Sequence, residues 1–167
     1  YRIDQGIERY MTKTQKKTAD FMEGCMELGG LLGDWHESEI IELKKYGHAL
    51  GMAFQITDDI MDYRETAETT GKPVGNDLRE GLLTYPLLSI VNDGNKDKLL
   101  EDIKGLNNGG NEQDIIDYVI AQGGIDNTLA VADKYCKDAL AALAAVRDFP
   151  GKEFLVMAVE NLADRKV

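Results

Sequence analysis

Residues 37–66, ESEIIELKKYGHALGMAFQITDDIMDYRET, decide the fold class. Ile40, Leu43, Tyr46, Gly47, Leu50 and Phe54 recur at steps of three and four, the period of an α-helix with one buried face. Near the end of the stretch, Asp58, Asp59 and Asp62 crowd into little more than one helical turn. At about 100° per residue, Asp62 falls about 40° from Asp58, Gln55 about 60° and Asp59 about 100°. Ala53, Ile56 and Ile60 fall on the opposite side, so one face can be buried while another presents carboxylates.

The same period extends in both directions. Residues 4–30 carry Ile7, Tyr10, Met11, Thr14, Thr18, Phe21, Met22, Cys25 and Leu28 as an apolar and small-residue stripe. Downstream, TAETTGKPVGN breaks the 37–66 helix, because Gly, Pro and Thr disfavour helix interiors. Further helices are expected over 83–92, 95–104, 111–122, 125–147 and 151–164, joined by NDGN, LNNGGNE, QGG and FPG. No alternating strand and no internal repeat interrupts this pattern, so the reading is all-α, a helical bundle.

Composition narrows the function. The chain has 167 residues, 43% hydrophobic, enough for a real core. Its net charge of -11 argues against a nucleic-acid partner held through phosphates, and an anionic ligand would need local lysines or a bridging cation. Cys25 and Cys136 lie far apart with no zinc spacing, which suits a reducing compartment, and no apolar run is long enough to span a bilayer. With no signal peptide, the expectation is a cytoplasmic protein. The sequence opens at Tyr1 inside what already reads as a helix, which suggests part of a longer protein.

Three carboxylates this close raise one another's pKa or require a cation. A hard, oxygen-seeking ion such as Mg²⁺ fits, because it keeps coordination positions open for water or substrate phosphate. With 17 Asp in the chain, a solvated acidic face remains the alternative reading of the bare pattern. An EF-hand is excluded by the oxygen spacing and the missing central Gly.

The neighbourhood is more specific. Phe54-Gln55 lead into the aspartates as FQITDDIMD, and GKPVGND (71–77) and TYP (84–86) follow; KKTADF (16–21) lies one helix earlier. In this order they resemble the C-terminal half of the trans-type polyprenyl diphosphate synthases, whose second aspartate-rich motif reads FQxxDDxxD. The resemblance runs from near Tyr10 to Arg165 and implies that residues 1–167 are the C-terminal portion of a polyprenyl synthetase domain with the isoprenoid synthase fold. It implies that Asp58, Asp59 and Asp62 face a Mg²⁺ cluster, Asp58 most directly. Lys17 and Lys72 would contact an allylic diphosphate, Thr18, Phe54 and Gln55 would line its reacting end, and Asp77 would support a lysine or a metal-bound water.

The activity implied is Mg²⁺-assisted departure of the allylic diphosphate, attack by isopentenyl diphosphate on the resulting cation, and proton loss, giving a trans-polyprenyl diphosphate. The resemblance also implies a homodimer. Two departures concern packing and phosphate contacts: Leu82 stands where many relatives carry Lys, and Tyr85 where Leu is usual. The larger departure is that 58–59 is the one Asp-Asp pair in the sequence, so the family's first aspartate-rich motif is not among these residues, nor are the arginines near it. The chain alone is therefore expected to be inactive. Two alternatives stay open: a standalone helical diphosphate-binding or regulatory subunit without catalysis, and a related terpene cyclase.

Overall fold

The computed structural model describes residue 3 and residues 6–64 and 75–164. The elements are α1 (Gly6–Thr14), a π-helical turn (Gln15–Ala19), α2 (Asp20–Leu32), α3 (Glu37–Arg64), α4 (Asn76–Arg79) and α5 (Tyr85–Leu88). They continue as α6 (Lys96–Gly105), a 3₁₀ turn (Leu106–Asn108), α7 (Glu112–Ala121), α8 (Gly124–Ala144) and α9 (Lys152–Asp164). There is no strand among the described residues, and the all-α expectation holds. The chain divides into two compact units, one of Tyr1–Tyr10 with Asp58–Leu129, the other of Met11–Thr57 with Ala130–Val167.

In the second of these units, Tyr46, Ala49 and Ala53 of α3 pack with Cys136, Ala139, Ala142 and Leu143 of α8 and Val159 and Leu162 of α9. The small alanines let α3 and α8 approach closely. Tyr46 is fully buried, and its hydroxyl donates to the Leu155 carbonyl at 2.9 Å, so its polar end is satisfied within the core. Burial pushes its phenol up to about 12. Where α2 meets α3, a Cβ at Gly47 would lie 2.6 Å from the Met22 carbonyl, and one at Gly51 would lie 2.6 Å from Ala19 Cα. Both positions therefore require Gly, for close approach rather than for a turn.

The other unit buries Leu78 and Leu87 with Ile103, Ile115, Ile116 and Val119, residues drawn from α4 to α7. Asn111 caps α7 by accepting from the Gln113 amide at 3.2 Å. Gly75 precedes α4 in the left-handed region, φ 75°, and its Cβ position lies 3.0 Å from Ile116 Cδ1. Both the backbone angle and the space call for Gly there.

The first-helix expectation needs three corrections. Phe21 is 72% exposed, Leu28 56% exposed and Cys25 exposed, although all three were placed on the apolar stripe. The cause is the π-helical turn, which inserts an extra residue into the helical repeat. Burial runs Tyr10, Thr14, then Ala19 after five residues, and on to Gly30, so the stripe downstream of the turn is rotated relative to a uniform 3.6 period. Phe54 is also off the buried face, at 37% exposure, while Ala53, Ile56 and Ile60 are buried as the helical phase required.

Candidate functional site

In the unit built around α2, α3 and α8, Lys17 and Thr18 lie on the π-helical turn. Such turns widen the backbone locally and re-aim side chains. The turn is seated on Gly51, whose Cβ position is 3.2 Å from the Thr18 carbonyl. One turn further along α3, Gln55 receives the Thr18 hydroxyl: Oγ1 donates to Oε1 at 3.0 Å. That bond engages the amide oxygen of Gln55. Lys17 is exposed and pairs with no described carboxylate. Phe54, beside Gln55 in sequence, presents part of its ring at the surface.

The other unit holds the acidic residues, and it gives them unequal environments. Asp58 is exposed and makes no hydrogen bond or ion pair with any described residue. Asp59 is buried, 4% exposed, and its Oδ2 accepts a 2.5 Å hydrogen bond from the Tyr10 hydroxyl of α1. Asp62 reaches forward to α4: its Oδ1 accepts from the Asn76 amide and its Oδ2 from the Asp77 amide, both at 3.1 Å. Its own carbonyl accepts from Gly75 N at 3.1 Å. Asp62 thus caps a helix start with a charge, which the dipole of those amides favours. Burial pushes the Asp62 carboxyl up; the Asp77 and Asn76 amides pull it down, and the neighbouring Asp58 and Glu80 charges push it up again.

Asp77 is placed on α4 by that cap and is half-buried. Lys72 lies outside the described residues. Among the described residues the set of three His, Cys or acidic donors whose ligand atoms lie within 4.8 Å of one another is Asp20, Glu23 and His48, not the three aspartates of α3. Of these, Glu23 is already paired, 3.7 Å from Lys44 and 3.4 Å from His48 Nδ1, and Lys44 also lies 2.9 Å from the neighbouring Glu27. This set reads as an ion-pair cluster.

Two features escaped the sequence reading. Tyr10 was assigned only to an apolar stripe, and nothing in the spacing shows a phenol 49 positions away from its carboxylate partner. The cap from Asp62 to α4 had a faint signal, a Gly followed by Asn-Asp, hidden in a segment read as a helix-breaking loop.

The sequence profile of the family described as Polyprenyl synthetase matches residues 2–122. Among curated relatives, octaprenyl diphosphate synthase of Escherichia coli (strain K12) is 34% identical over 153 residues, 89% of this chain and 47% of that protein. Among solved structures, heptaprenyl diphosphate synthase from Staphylococcus aureus superposes with a TM-score of 0.86 at 28% identity, covering 99% of this chain and 52% of that one. A polyprenyl synthase from Caulobacter crescentus CB15, complexed with calcium and isoprenyl diphosphate, gives 0.83 at 29% identity, covering 99% and 52%. The chain spans about half the length of the curated relatives it matches. Its helices are those of the isoprenoid synthase fold.

Proposed function

This chain belongs to the polyprenyl synthetase family, and we propose that it supplies the C-terminal half of a Mg²⁺-dependent prenyltransferase that joins isopentenyl diphosphate to an allylic diphosphate. The single observation that carries the reading is the state of Asp58: an exposed carboxylate with no described partner, on the acidic face of a helix whose opposite face is fully buried. A cation has somewhere to bind there. The Caulobacter relative, with calcium and isoprenyl diphosphate together in one complex, supports the pairing of a divalent ion with a diphosphate ligand in this family.

The donor set fits Mg²⁺, which takes carboxylate oxygens and keeps positions for phosphate oxygens. Asp58 would hold the ion most directly, with Asp59 and Asp62 adding charge to the same face. When bound, Mg²⁺ would neutralise the charge that develops on the departing diphosphate. The chain's own residues do the rest. Lys17, exposed on the π-helical turn, binds diphosphate oxygens as a point charge, and Lys72 serves the same role. Thr18, fixed by Gln55, keeps that turn's register, and the Gln55 amide and Phe54 ring line the allylic end. Asp77, anchored by Asp62, supports a metal-bound water or a lysine. No side-chain nucleophile is required.

We place this protein in the cytoplasm and read it as a homo-oligomer. The second reading is supported by Leu31 and Leu32 of α2, 60% and 80% exposed, beside the equally uncovered Phe21 and Leu28. The 167 residues alone would not elongate, since the first aspartate-rich motif is not among them. The test is incorporation of radiolabelled isopentenyl diphosphate into acid-labile allylic product by the complete protein that carries this chain. Mg²⁺-dependent chain growth is expected, and growth lost on Asp58→Asn. Binding of diphosphates with no product at any Mg²⁺ concentration would favour a non-catalytic diphosphate-binding subunit.

A further inference from the structure

We infer that Tyr10 is a positioning residue for the acidic face, acting through Asp59 and itself held by the ring of Tyr85; the inference rests on the prenyltransferase reading. All three residues belong to one compact unit. Asp59 is almost fully buried, and a carboxylate in that state persists only when hydrogen bonds replace its water. The Tyr10 hydroxyl supplies one, donating to Oδ2, and hydrogen bonds to an ionised carboxylate are stronger than neutral ones. Tyr10 is itself buried, 7% exposed, so solvent does not compete for the phenol.

A phenol placed this way still has to be kept from swinging. Tyr85 meets the Tyr10 ring edge-on, with centroids 5.7 Å apart and planes at 66°, one of the favoured aromatic geometries. Tyr85 begins α5, directly before a buried Pro86 in the first turn, where the proline ring fixes the backbone. The sequence of restraints therefore runs from α5 to the Tyr85 ring, to the Tyr10 ring, to the Asp59 carboxylate. Its effect is to give adjacent aspartates different tasks. Asp58 stays at the surface with no partner among the described residues, while Asp59 is held inward with one oxygen on Tyr10, so the spacing of negative charge that a cation meets is fixed before it arrives. Groups that orient metal-binding carboxylates typically affect metal affinity about as strongly as this arrangement requires, 10- to 100-fold on removal.

The test uses the complete protein with inorganic diphosphate and Mn²⁺ in place of Mg²⁺, counting free Mn²⁺ by electron paramagnetic resonance and following folding by circular-dichroism melts. Tyr10→Phe should weaken Mn²⁺ binding about tenfold. The double variant Tyr10→Phe with Asp59→Asn should bind no more weakly than Asp59→Asn alone, because Tyr10 acts through that carboxylate. Tyr85→Phe, which keeps the ring edge, should match wild type, and Tyr85→Leu should lose affinity in the direction of Tyr10→Phe. Wild-type affinity in Tyr10→Phe, with Asp58→Asn defective, would overturn the inference and leave the functional reading intact; additive losses in the double variant would overturn it equally. Unchanged Mn²⁺ binding in Asp58→Asn would instead remove the functional reading. If Tyr10→Phe fails to fold, the two Tyr85 variants decide: equal affinities in both refute the brace.

Discussion

Replacing Gly51 with Ala separates local helix preference from packing at the turn that carries Lys17 and Thr18. Ala favours a helix interior over Gly by about 1 kcal/mol, so propensity alone predicts stabilisation. The structure predicts the opposite. The new Cβ would lie 2.6 Å from Ala19 Cα and 3.2 Å from both Ala19 N and the Thr18 carbonyl, and ordinary carbon contacts begin near ~3.5 Å. All three atoms are backbone and cannot rotate aside, so the π-helical turn must retreat from α3 by about 1 Å. Overpacking of that kind costs about 1–3 kcal/mol, so against the propensity gain of about 1 kcal/mol the net loss reaches about 2 kcal/mol, or up to roughly 8 °C in Tm for a chain of this size. The same displacement lengthens the 3.0 Å Thr18–Gln55 hydrogen bond. Gly24→Ala and Gly29→Ala are the controls: both are helical, a Cβ there meets nothing within 4 Å, and each should stabilise by about 0.5–1 kcal/mol. Thermal melts of the three variants check the argument. A Gly51→Ala protein that gains stability as the controls do would show that the α2–α3 approach is not the constraint.

Asp62→Ala removes both side-chain acceptors at the start of α4 and should cost about 1 kcal/mol, since relief from burying a carboxylate offsets part of the lost cap. Its signature is faster hydrogen exchange at the Asn76 and Asp77 amides, and unchanged exchange there would refute the cap. Tyr46 has a folded pKa near 12 against an ordinary value of 10.0, so its contribution to stability is complete below pH 10 and falls as pH rises from there toward 12, where the unfolded chain ionises first. Tyr46→Phe should flatten the alkaline unfolding profile in that window while lowering stability at pH 7 through loss of the bond to Leu155; a profile as steep as wild type would assign the alkaline transition elsewhere.

The long helices α3 and α6 to α9 were legible because each has an apolar period bounded by Gly, Asn or Pro; α4 was missed, and α5 is only Tyr85–Leu88 where a helix over 83–92 was expected, since a four-residue turn carries no period to read. The opposition between Ile56 and Ile60 on one side of α3 and the aspartates on the other followed from helical geometry alone. The π-helical turn was not legible: one inserted residue leaves no compositional mark, yet it turned Phe21 and Leu28 out of the core. For the candidate site, the sequence showed which residues gather on α3 but not how their surroundings divide them. Asp58 and Asp59 are adjacent and chemically identical, yet one is exposed and the other is buried with an oxygen on the Tyr10 hydroxyl, a partner that the spacing does not show. Asp62 likewise looked like a third equivalent carboxylate until the chain returned through Gly75 to place two amides against it.

The central claim is that the acidic face of α3 binds a diphosphate only through a divalent cation. Titration calorimetry of inorganic diphosphate into the complete protein, with and without Mg²⁺ and with Asp58→Asn in parallel, tests it most directly. Linkage requires that metal and diphosphate strengthen one another. No binding heat is expected without Mg²⁺, saturable binding with it, and a loss of at least tenfold in affinity for Asp58→Asn. Equal diphosphate binding with and without Mg²⁺, or full binding by Asp58→Asn, would contradict it.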